Sequence, residues 1–389
     1  MPRPCWRGDE LRALREHAGK ALRDDGRHLS QFQLAEEIRA SERVVRAWEA
    51  NDQILISPAL ITSLNIFAER VGFRRSVDGG DDMRRSVFVA GGGSLVAAQL
   101  LPAPGRAIDE AYVAGLADEA TSLEGRYSTG PIVQLMDSAA GHYHWCVSLL
   151  DHTRTHAAHQ RLQVVAGATA LLVGILARDV GLWAWSRRYT NTALDFAEEA
   201  EHGGLEARAR SALGILYDPL LGDGAHADVR RFVEEAEGAR SLAQRYSPPA
   251  MRSFASAELG LAYAAGGRRI ETRKALSQAG KDLGGDGAVD DLGARFVGTM
   301  NETVIAVYTG RGLLALGDTR PAIRELEGAL RGGLSPIHTV STMIALSGAY
   351  KHTGDRQREA SLLAQARAAA VRHRYLLGLQ RIEVIRQQA

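Results

Sequence analysis

The sequence predicts an all-α protein, and three observations support this fold class. Stretches such as LAQARAAAVRHRYLLGL combine residues of high helix propensity and hold few β-branched runs. Aromatic residues are sparse, at 6% of 389 residues. Apolar side chains recur at steps of three and four along most of the chain, which is the spacing of one buried helix face. Helices separated by Gly, Asp and Pro turns are therefore expected throughout.

The composition is typical of an ordinary globular protein and excludes several classes. Hydrophobic residues make up 45% and charged residues 24% of the chain, enough for a large core. The two cysteines, Cys5 and Cys146, have no paired spacing, which favours a reducing, cytoplasmic setting. No membrane association, metal or cofactor is expected. No spacing typical of hydrolases, metalloproteases or nucleotide-binding loops occurs, so an enzyme is not predicted.

The N-terminal residues predict a short series of helices. The first spans about residues 9–22, where Leu11, Leu14, Ala18 and Leu22 mark one buried face. A polar break, RDDGRH, follows it.

Two short helices are then predicted within residues 29–51. Ser30 and Ser41 are the expected caps. Their inward side chains are Leu34, Ala35, Ile38, Val45 and Trp48. Two short helices with a brief connection, the second with an exposed polar face, are what a major-groove reader needs. Residues 1–75 hold 13 Arg and Lys against 11 Asp and Glu, so the case for DNA depends on geometry and not on bulk charge.

These residues resemble the XRE type of helix-turn-helix, which is lambda-repressor-like. Ten residues match the family pattern in order: Leu29, Ser30, Gln31, Leu34, Ala35, Ile38, Ser41, Val45, Trp48 and Glu49. The resemblance implies a five-helix DNA-binding domain over residues 1–75, with Gln31 on a phosphate. It also implies that the recognition helix presents Ser41, Glu42, Arg43 and Ala47 to the groove and Arg46 to the backbone. Arg43 is the predicted base contact because its forked guanidinium suits guanine.

Two departures from the family pattern bear on docking. Arg39 stands at the turn position where the family has glycine, and a left-handed conformation there costs about 1 kcal/mol. About nine residues are also inserted between Gly19 and Leu29 relative to that pattern. The alternative interpretation is a helical pair that only supports the next domain.

Residues 76–107 predict a linker. SVDGGDD is a polar, glycine-bearing break, and Arg84 and Arg85 then precede an uncharged, mostly apolar run. An arginine pair before such a run also resembles an export signal. Because a compact domain is predicted before it, an apolar connector between domains is the preferred interpretation.

Residues 108–389 predict a degenerate helical repeat. Four segments place a small residue three positions before a larger one, with a glycine soon after. The sets are Gly214, Tyr217 and Gly222; Gly260, Tyr263 and Gly267; Gly310, Leu313 and Gly317; and Ser347, Tyr350 and Gly354. Second helices follow with Phe232, Leu276, Leu326 and Leu363, and residues 171–200 form a weaker copy containing Gly174. The segments resemble tetratricopeptide repeats, which implies an α-solenoid with a concave groove.

Four polar residues are predicted to bind a ligand in that groove. By repeat register, Arg208, Glu258, Tyr308 and Arg311 lie on the concave side of the first helices. Their side chains suit the backbone of a peptide.

Weaker clusters leave alternatives open. His152, His156 and His159 are spaced as one helical face that could bind a metal or be solvated. His142 and Cys146 form a second such pair. Trp183, Trp185 and Tyr189 are a candidate pocket or part of the core.

The domain order as a whole resembles XRE regulators of high-GC bacteria and, in architecture, peptide-pheromone-receptor regulators. The resemblance implies a transcriptional regulator that binds double-stranded DNA as a homodimer at an inverted repeat. A peptide or small-molecule effector, as in quorum sensing, would act on the repeat domain. The alternative is a protein-interaction scaffold in which a degenerate helix-turn-helix is only a docking module.

Overall fold

A computed structural model of the chain describes its residues over these ranges: 8–22, 29–31, 33–34, 45, 108–127, 132–219, 227–285, 291–295, 298, 300–373 and 375–387. Across these ranges the protein is almost entirely helical and contains no β-strand. One isolated bridge joins Ile108 to Thr153. The all-α prediction is therefore confirmed.

Helix α1, Gly8–Leu22, has the buried face that the sequence predicts. Leu11, Leu14 and Ala18 are fully buried. Arg15 ties the helix to the following segment: the Leu29 amide donates to the Arg15 carbonyl at 3.3 Å, and the Arg15 guanidinium donates to the Leu29 carbonyl at 2.6 Å.

Ser30 caps a helical segment, as predicted. The Gln33 amide donates to the Ser30 hydroxyl at 3.1 Å, and the Ser30 amide donates to the Gln33 side-chain carbonyl at 2.9 Å. This reciprocal pair is a capping box, which satisfies backbone donors that the first helical turn leaves open. Leu34 and Val45 are fully buried, in agreement with their predicted inward positions. The other residues of the predicted helix-turn-helix, 32, 35–44 and 46–51, lie outside the described residues.

The chain separates into two compact units, Met1–Leu101 and Pro102–Ala389. The division falls within the predicted linker, residues 76–107, all of which lie outside the described residues. The boundaries of the linker itself stay a prediction.

The second unit consists of thirteen described α-helices and a short 3-10 helix. They are α2 (Glu110–Gly125), α3 (Ile132–Leu149), the 3-10 helix Leu150–His152, α4 (His156–Asp179), α5 (Trp183–Glu199), α6 (Gly203–Tyr217), α7 (Val229–Tyr246), α8 (Pro249–Ala265), α9 (Arg269–Leu283), α10 (Glu302–Ala315), α11 (Thr319–Arg331), α12 (Pro336–Thr353), α13 (Arg356–Arg372) and α14 (Leu376–Gln387). Short polar side chains cap many of them and so fix where they begin: Asp109, Thr155, Asp228, Asn301, Ser335 and Asp355.

Two sets of contacts organise these helices. Consecutive helices pack together from α2 to α14. In addition, α4, α6, α8, α10, α12 and α14 each contact the next of their set, and α14 contacts α4. We call these six the inner helices and α5, α7, α9, α11 and α13 the outer helices. The last inner helix thus returns to the first.

Small residues set the distance between inner and outer helices, as the repeat pattern predicts. A Cβ atom added to Gly260 would lie 2.7 Å from the Leu276 side chain, and one added to Gly310 would lie 2.6 Å from Leu326. Only glycine permits such an approach, so the small and large residues are matched across each pair. Gly174 in α4 approaches Thr190 in α5 in the same way, at 2.7 Å.

Glycines also end the inner helices. Gly267, Gly317 and Gly354 have φ values of 70°, 82° and 82° and follow α8, α10 and α12 directly or within two residues. Backbone in this left-handed region favours glycine and turns the chain toward the next helix. The predicted turn glycines are therefore confirmed at these three positions, whereas Gly222 lies outside the described residues.

Helix α4 contains a long apolar stretch. By length and composition it is the one described helix that passes a test for spanning a membrane, but 78% of its apolar window is buried within the fold. Leu162, Leu172, Val173 and Leu176 are among its fully buried side chains. Its apolar residues therefore serve the core.

Candidate ligand-binding cavity

A cavity of about 140 Å³ lies between the inner helices. Each of the six contributes to its lining, and Tyr127, Gly298 and Tyr375 add to it from the connecting segments. Much of the lining is apolar, including Ile175, Ile215, Met251, Phe254, Val307 and Leu377. Residues separated by some 200 positions in the chain therefore meet around one space.

All four residues of the predicted groove line this cavity. Arg208 lies on α6, Glu258 on α8, and Tyr308 and Arg311 on α10. All four are buried. The repeat register therefore brings them together; that they bind a ligand stays a prediction.

Every arginine that lines the cavity is hydrogen-bonded to a buried carboxylate. The pairs are Arg178 with Asp179 at 2.9 Å, Arg208 with Glu124 at 2.7 Å, and Arg311 with Asp218 at 3.3 Å. Pairing of this kind offsets the cost of removing both charges from water. The positive charges of the lining are thus balanced by carboxylates of the surrounding fold.

Glu124 joins α2 to two distant parts of the chain. Its Oε1 accepts from Arg208, and its Oε2 accepts from Arg295 Nε at 2.8 Å. Arg208 also donates through Nη1 to the Leu292 carbonyl. The 291–295 segment is thereby held against α6, so the guanidinium of Arg208 has a fixed orientation at the cavity wall.

His202 holds the same segment from the start of α6. Its Nδ1 accepts from the Leu205 amide at 3.0 Å, which leaves Nε2 as the donor to Asp291 at 2.8 Å. This hydrogen bond lowers the pKa of the Asp291 carboxyl. A single imidazole thus caps a helix and anchors a loop.

Glu258 differs from every other charged group of the lining. Neither of its carboxylate oxygens has a hydrogen-bond partner among the described residues, and the residue is only 2% exposed. Burial raises the pKa of this carboxyl to about 7, and the nearby Arg311 guanidinium offsets only part of the rise. The Tyr308 hydroxyl is close enough to influence that pKa without reaching hydrogen-bond geometry. A buried acceptor without a donor is costly, so the site favours a ligand that supplies one.

His338 and Tyr127 are lining residues that sequence reasoning missed. His338 follows the Ser335 cap of α12, and its Nδ1 lies 3.0 Å from the Ser335 hydroxyl. Burial lowers the pKa of this imidazole to about 4, and the charge of Arg311 adds to the effect. Tyr127 donates to Asp179 at 2.8 Å.

Repeat register would have identified part of this missed set. Ser341, which also lines the cavity, stands six positions before Ser347, as Arg208 stands six before Gly214. Arg178 and Tyr375 carry no such signal. They belong to the first and last inner helices or their flanks, where the repeat pattern is weakest.

The histidine cluster that the sequence suggested is not one helical face. His152 ends the 3-10 helix, residues 153–155 are extended or irregular, and α4 begins only at His156. His159 turns back instead, with Nδ1 3.0 Å from the Thr153 hydroxyl. The i, i+4, i+7 interpretation was wrong because a helix start interrupts the spacing. Within the described part of the chain no group of three or more potential metal ligands comes together.

His142 and Cys146 lie together in the core of α3. The Cys146 thiol is 3.7 Å from His142 Nδ1, and the same nitrogen is 3.1 Å from the Thr169 hydroxyl. Burial raises the pKa of the thiol and lowers that of the imidazole. Both groups are therefore held in their neutral forms.

The aromatic cluster of α5 belongs to the core. Tyr189 is buried, and the Trp185 ring stacks on it at 5.8 Å. Trp183 packs against the apolar cluster that contains Tyr375. None of the three is among the residues that line the described cavity.

Of the predicted DNA-binding residues, Gln31 alone is described. It is half-buried in the helical segment that Ser30 caps. Ser41, Glu42, Arg43, Arg46 and Ala47 lie outside the described residues.

Comparison with known proteins gives no match. No protein-family model matches the chain, and neither a curated protein nor a solved structure is significantly similar to it. The chain's own residues therefore carry the case for its function.

Proposed function

We propose that the protein is a sequence-specific DNA-binding transcriptional regulator whose helical C-terminal unit binds a small-molecule signal. The cavity between the inner helices is the observation that carries this proposal. It is lined by distant parts of the chain, is mostly apolar, and includes the buried carboxylate of Glu258, which has no hydrogen-bond partner among the described residues. A largely apolar pocket with a few well-placed polar groups is what small-molecule sites have in common.

The size of the cavity favours a small molecule over a peptide. Pockets for drug-sized ligands hold about 300–1,000 Å³, whereas an apolar cavity of about 150 Å³ accommodates benzene. At about 140 Å³ this cavity belongs to the second range. A peptide of several residues would require the inner helices to separate first.

The DNA-binding part of the proposal has two supports. One is the ordered XRE resemblance of residues 29–49, and the other is the capping box between Ser30 and Gln33 at the start of the first of its two short helices. A homodimer would place its two recognition helices in major grooves about 34–36 Å apart, which matches an inverted-repeat operator. The tetratricopeptide-like arrangement is supported by the close approaches at Gly260 and Gly310.

Ligand binding would act on DNA binding through the inner helices. A ligand shifts an equilibrium only by its different affinities for two arrangements, and such couplings amount to about 1–3 kcal/mol, or 5- to 150-fold in affinity. Because the inner helices contact one another in a closed series, a small displacement at one is passed to its neighbours. No catalytic step is part of this function.

Gel-shift measurements with sequences selected from a random DNA pool test the proposal. Full-length protein should give a salt-sensitive shift with a preferred sequence. Arg43→Ala should relax base preference at one position, whereas Gln31→Ala should weaken all sequences alike. Lys20→Ala, which removes the same charge outside the predicted recognition helix, is the matched control and should change neither.

One outcome would contradict the regulator, and another would contradict the position of its recognition helix. A chain with no sequence-preferring shift at low salt would be the scaffold alternative, in which the helical unit binds a partner protein. Equal behaviour of Arg43→Ala and Lys20→Ala would overturn the assignment of the recognition helix.

A further inference from the structure

The Glu258 carboxylate raises the question of what it binds. It lies on α8 at the cavity wall, is almost completely buried, and has no hydrogen-bond donor among the described residues. A carboxylate in this state has lost its hydration without gaining a hydrogen-bond donor, which is unfavourable. A fold retains such a group where a bound molecule completes it.

The arginines that line the cavity already have hydrogen-bond partners. Each lining arginine donates to a buried carboxylate, at 2.7–3.3 Å, although the partner of Arg208, Glu124, is shared with Arg295. Their charge is therefore largely balanced before any ligand enters. Glu258 is the charged lining group that lacks a hydrogen-bond partner within the described chain, so it sets the sign of the preferred ligand.

The remaining lining residues determine what kind of ligand body fits the cavity. Phe254 and Tyr308 meet edge to face at 6.2 Å, and aliphatic side chains such as Ile215, Val307 and Leu377 complete the lining. Aromatic rings close to a carboxylate favour a cation with an apolar body. The volume of about 140 Å³ admits on the order of ten non-hydrogen atoms.

Resting on the sensor function proposed above, we infer that the signal is a small amine: a protonated primary ammonium held by Glu258, on a compact apolar or aromatic body in the cavity. Three N–H donors of the ammonium would satisfy carboxylate oxygens that now have no donor. The apolar body would fill the space between α6, α8, α10 and α14.

The protonation of Glu258 then controls binding. The groups that face its carboxyl are Tyr308 and Arg311 from α10, Asp218 from the end of α6, and Arg178 from α4. His338 of α12 lines the same cavity and is neutral above pH 5, because its pKa is lowered to about 4. Ammonium binding requires the ionised carboxylate, whose pKa is about 7. Affinity should therefore fall about tenfold per pH unit well below that value.

Calorimetry on the full chain with three probes of equal shape tests the inference. Benzylamine carries the cation, benzyl alcohol is its neutral counterpart, and benzoate is the anion. At pH 8 we expect saturable binding of one benzylamine per chain, at least about tenfold tighter than benzyl alcohol, and none of benzoate. Tighter binding of benzoate would assign the cavity to its arginines and overturn the inference, as would failure of benzylamine to saturate any site.

Variants locate the interaction. Glu258→Gln should lose at least about tenfold in benzylamine affinity and leave benzyl alcohol unchanged. Glu359→Gln is the matched control, because Glu359 is also buried but pairs with Arg356 on α13, away from the cavity. Undiminished benzylamine binding by Glu258→Gln would overturn the inference.

A measurement on the unmodified protein guards against a variant that fails to fold. At pH 7 the ammonium should displace a proton from a partly protonated Glu258 carboxyl to the buffer. The binding enthalpy should then depend on the ionisation enthalpy of the buffer, with net proton release that disappears near pH 8, where the carboxyl and the amine are both almost fully ionised. Binding without proton release at any pH between about 5 and 7 would show that the amine does not contact this carboxyl.

These measurements need no DNA, so the two proposals fail separately. Amine binding without a gel shift would retain the ligand and reject the regulator. If the chain gives a gel shift but binds no amine, the regulator is retained and the amine ligand is rejected.

Discussion

Arg208 and Glu124 are 84 residues apart in the chain and form an ion pair of 2.7 Å, with side chains only 3% and 4% exposed. The pair connects α6 to α2 at the wall of the cavity. Because Glu124 also accepts from Arg295, one carboxylate balances two guanidinium groups. The geometry of the cavity wall on this side therefore depends on a residue that does not itself line the cavity.

Glu124→Gln should destabilise the protein strongly. The substitution leaves the buried Arg208 and the partly buried Arg295 without their shared negative charge, and breaking a buried pair in this way costs about 3–5 kcal/mol. Glu110→Gln, on the same helix, is the control: Glu110 pairs with Arg161 at 3.0 Å, but both side chains are more than half exposed. Its loss should be within about 1 kcal/mol. Urea denaturation gives both values, and equal losses would contradict the assigned role of Glu124.

Gly310→Ala should also destabilise, because the added methyl group would lie 2.6 Å from Leu326. Overpacking costs about 1–3 kcal/mol and outweighs the helix-propensity gain of about 1 kcal/mol. Gly348→Ala in α12 has nothing within 4 Å of the new Cβ and should stabilise by about 0.5–1 kcal/mol. Leu326→Ala removes the contacting side chain but leaves a cavity, so the double variant should lose less than the sum of the two single losses. Strictly additive effects would argue against their direct contact.

Glu258 should make stability fall as pH rises. Its pKa in the folded protein, about 7, lies above the ordinary value of 4.5, so the folded state holds the proton more tightly. The resulting stabilisation is complete below pH 4.5 and is lost as pH rises to about 7. Glu258→Gln removes this dependence and should be the more stable chain at pH 8, by on the order of 3 kcal/mol. Thermal unfolding at pH 5 and pH 8 measures the difference, and a variant less stable than its parent at both values would contradict it.

The contribution of His338 to folding stability should change with pH in the opposite direction. Its folded-state pKa of about 4 lies below the ordinary 6.5, so its contribution is present above pH 6.5 and is lost as pH falls toward 4. His338→Gln should therefore reduce the loss of stability between pH 6.5 and 4. Histidine NMR titration of the parent, with assignment from the variant, should give an imidazole that stays neutral below pH 5. An imidazole that titrates near pH 6.5 would show that its surroundings are open to water.

The sequence predicts the helices and several of their turns well because local patterns determine them. Gly260 and Gly310 identify where helices approach, and Gly267 and Gly317 identify where they end. Helix register also selects the inward face, which is why Arg208, Glu258, Tyr308 and Arg311 reach one cavity.

Periodicity tells which face a residue occupies but not what it meets there. Glu124 and Asp218 partner arginines 84 and 93 positions away, a distance that no repeat pattern encodes. Tyr375 joins the lining because α14 returns to α4, which is a property of the accumulated curvature of many helices. The predicted face of three histidines was wrong because Thr155 caps the start of α4 between His152 and His156, so one helix does not hold all three.

The contact between α14 and α4 also determines when, during synthesis of the chain, the cavity becomes complete. In an open array of repeats each unit depends only on its neighbours, so early units mature while later ones are still being made. Here the wall is incomplete until residues 375–387 have been synthesised and have docked on a helix made some 200 residues before. A nascent chain halted short of them would lack the part of the cavity wall that Tyr375 and Leu377 supply.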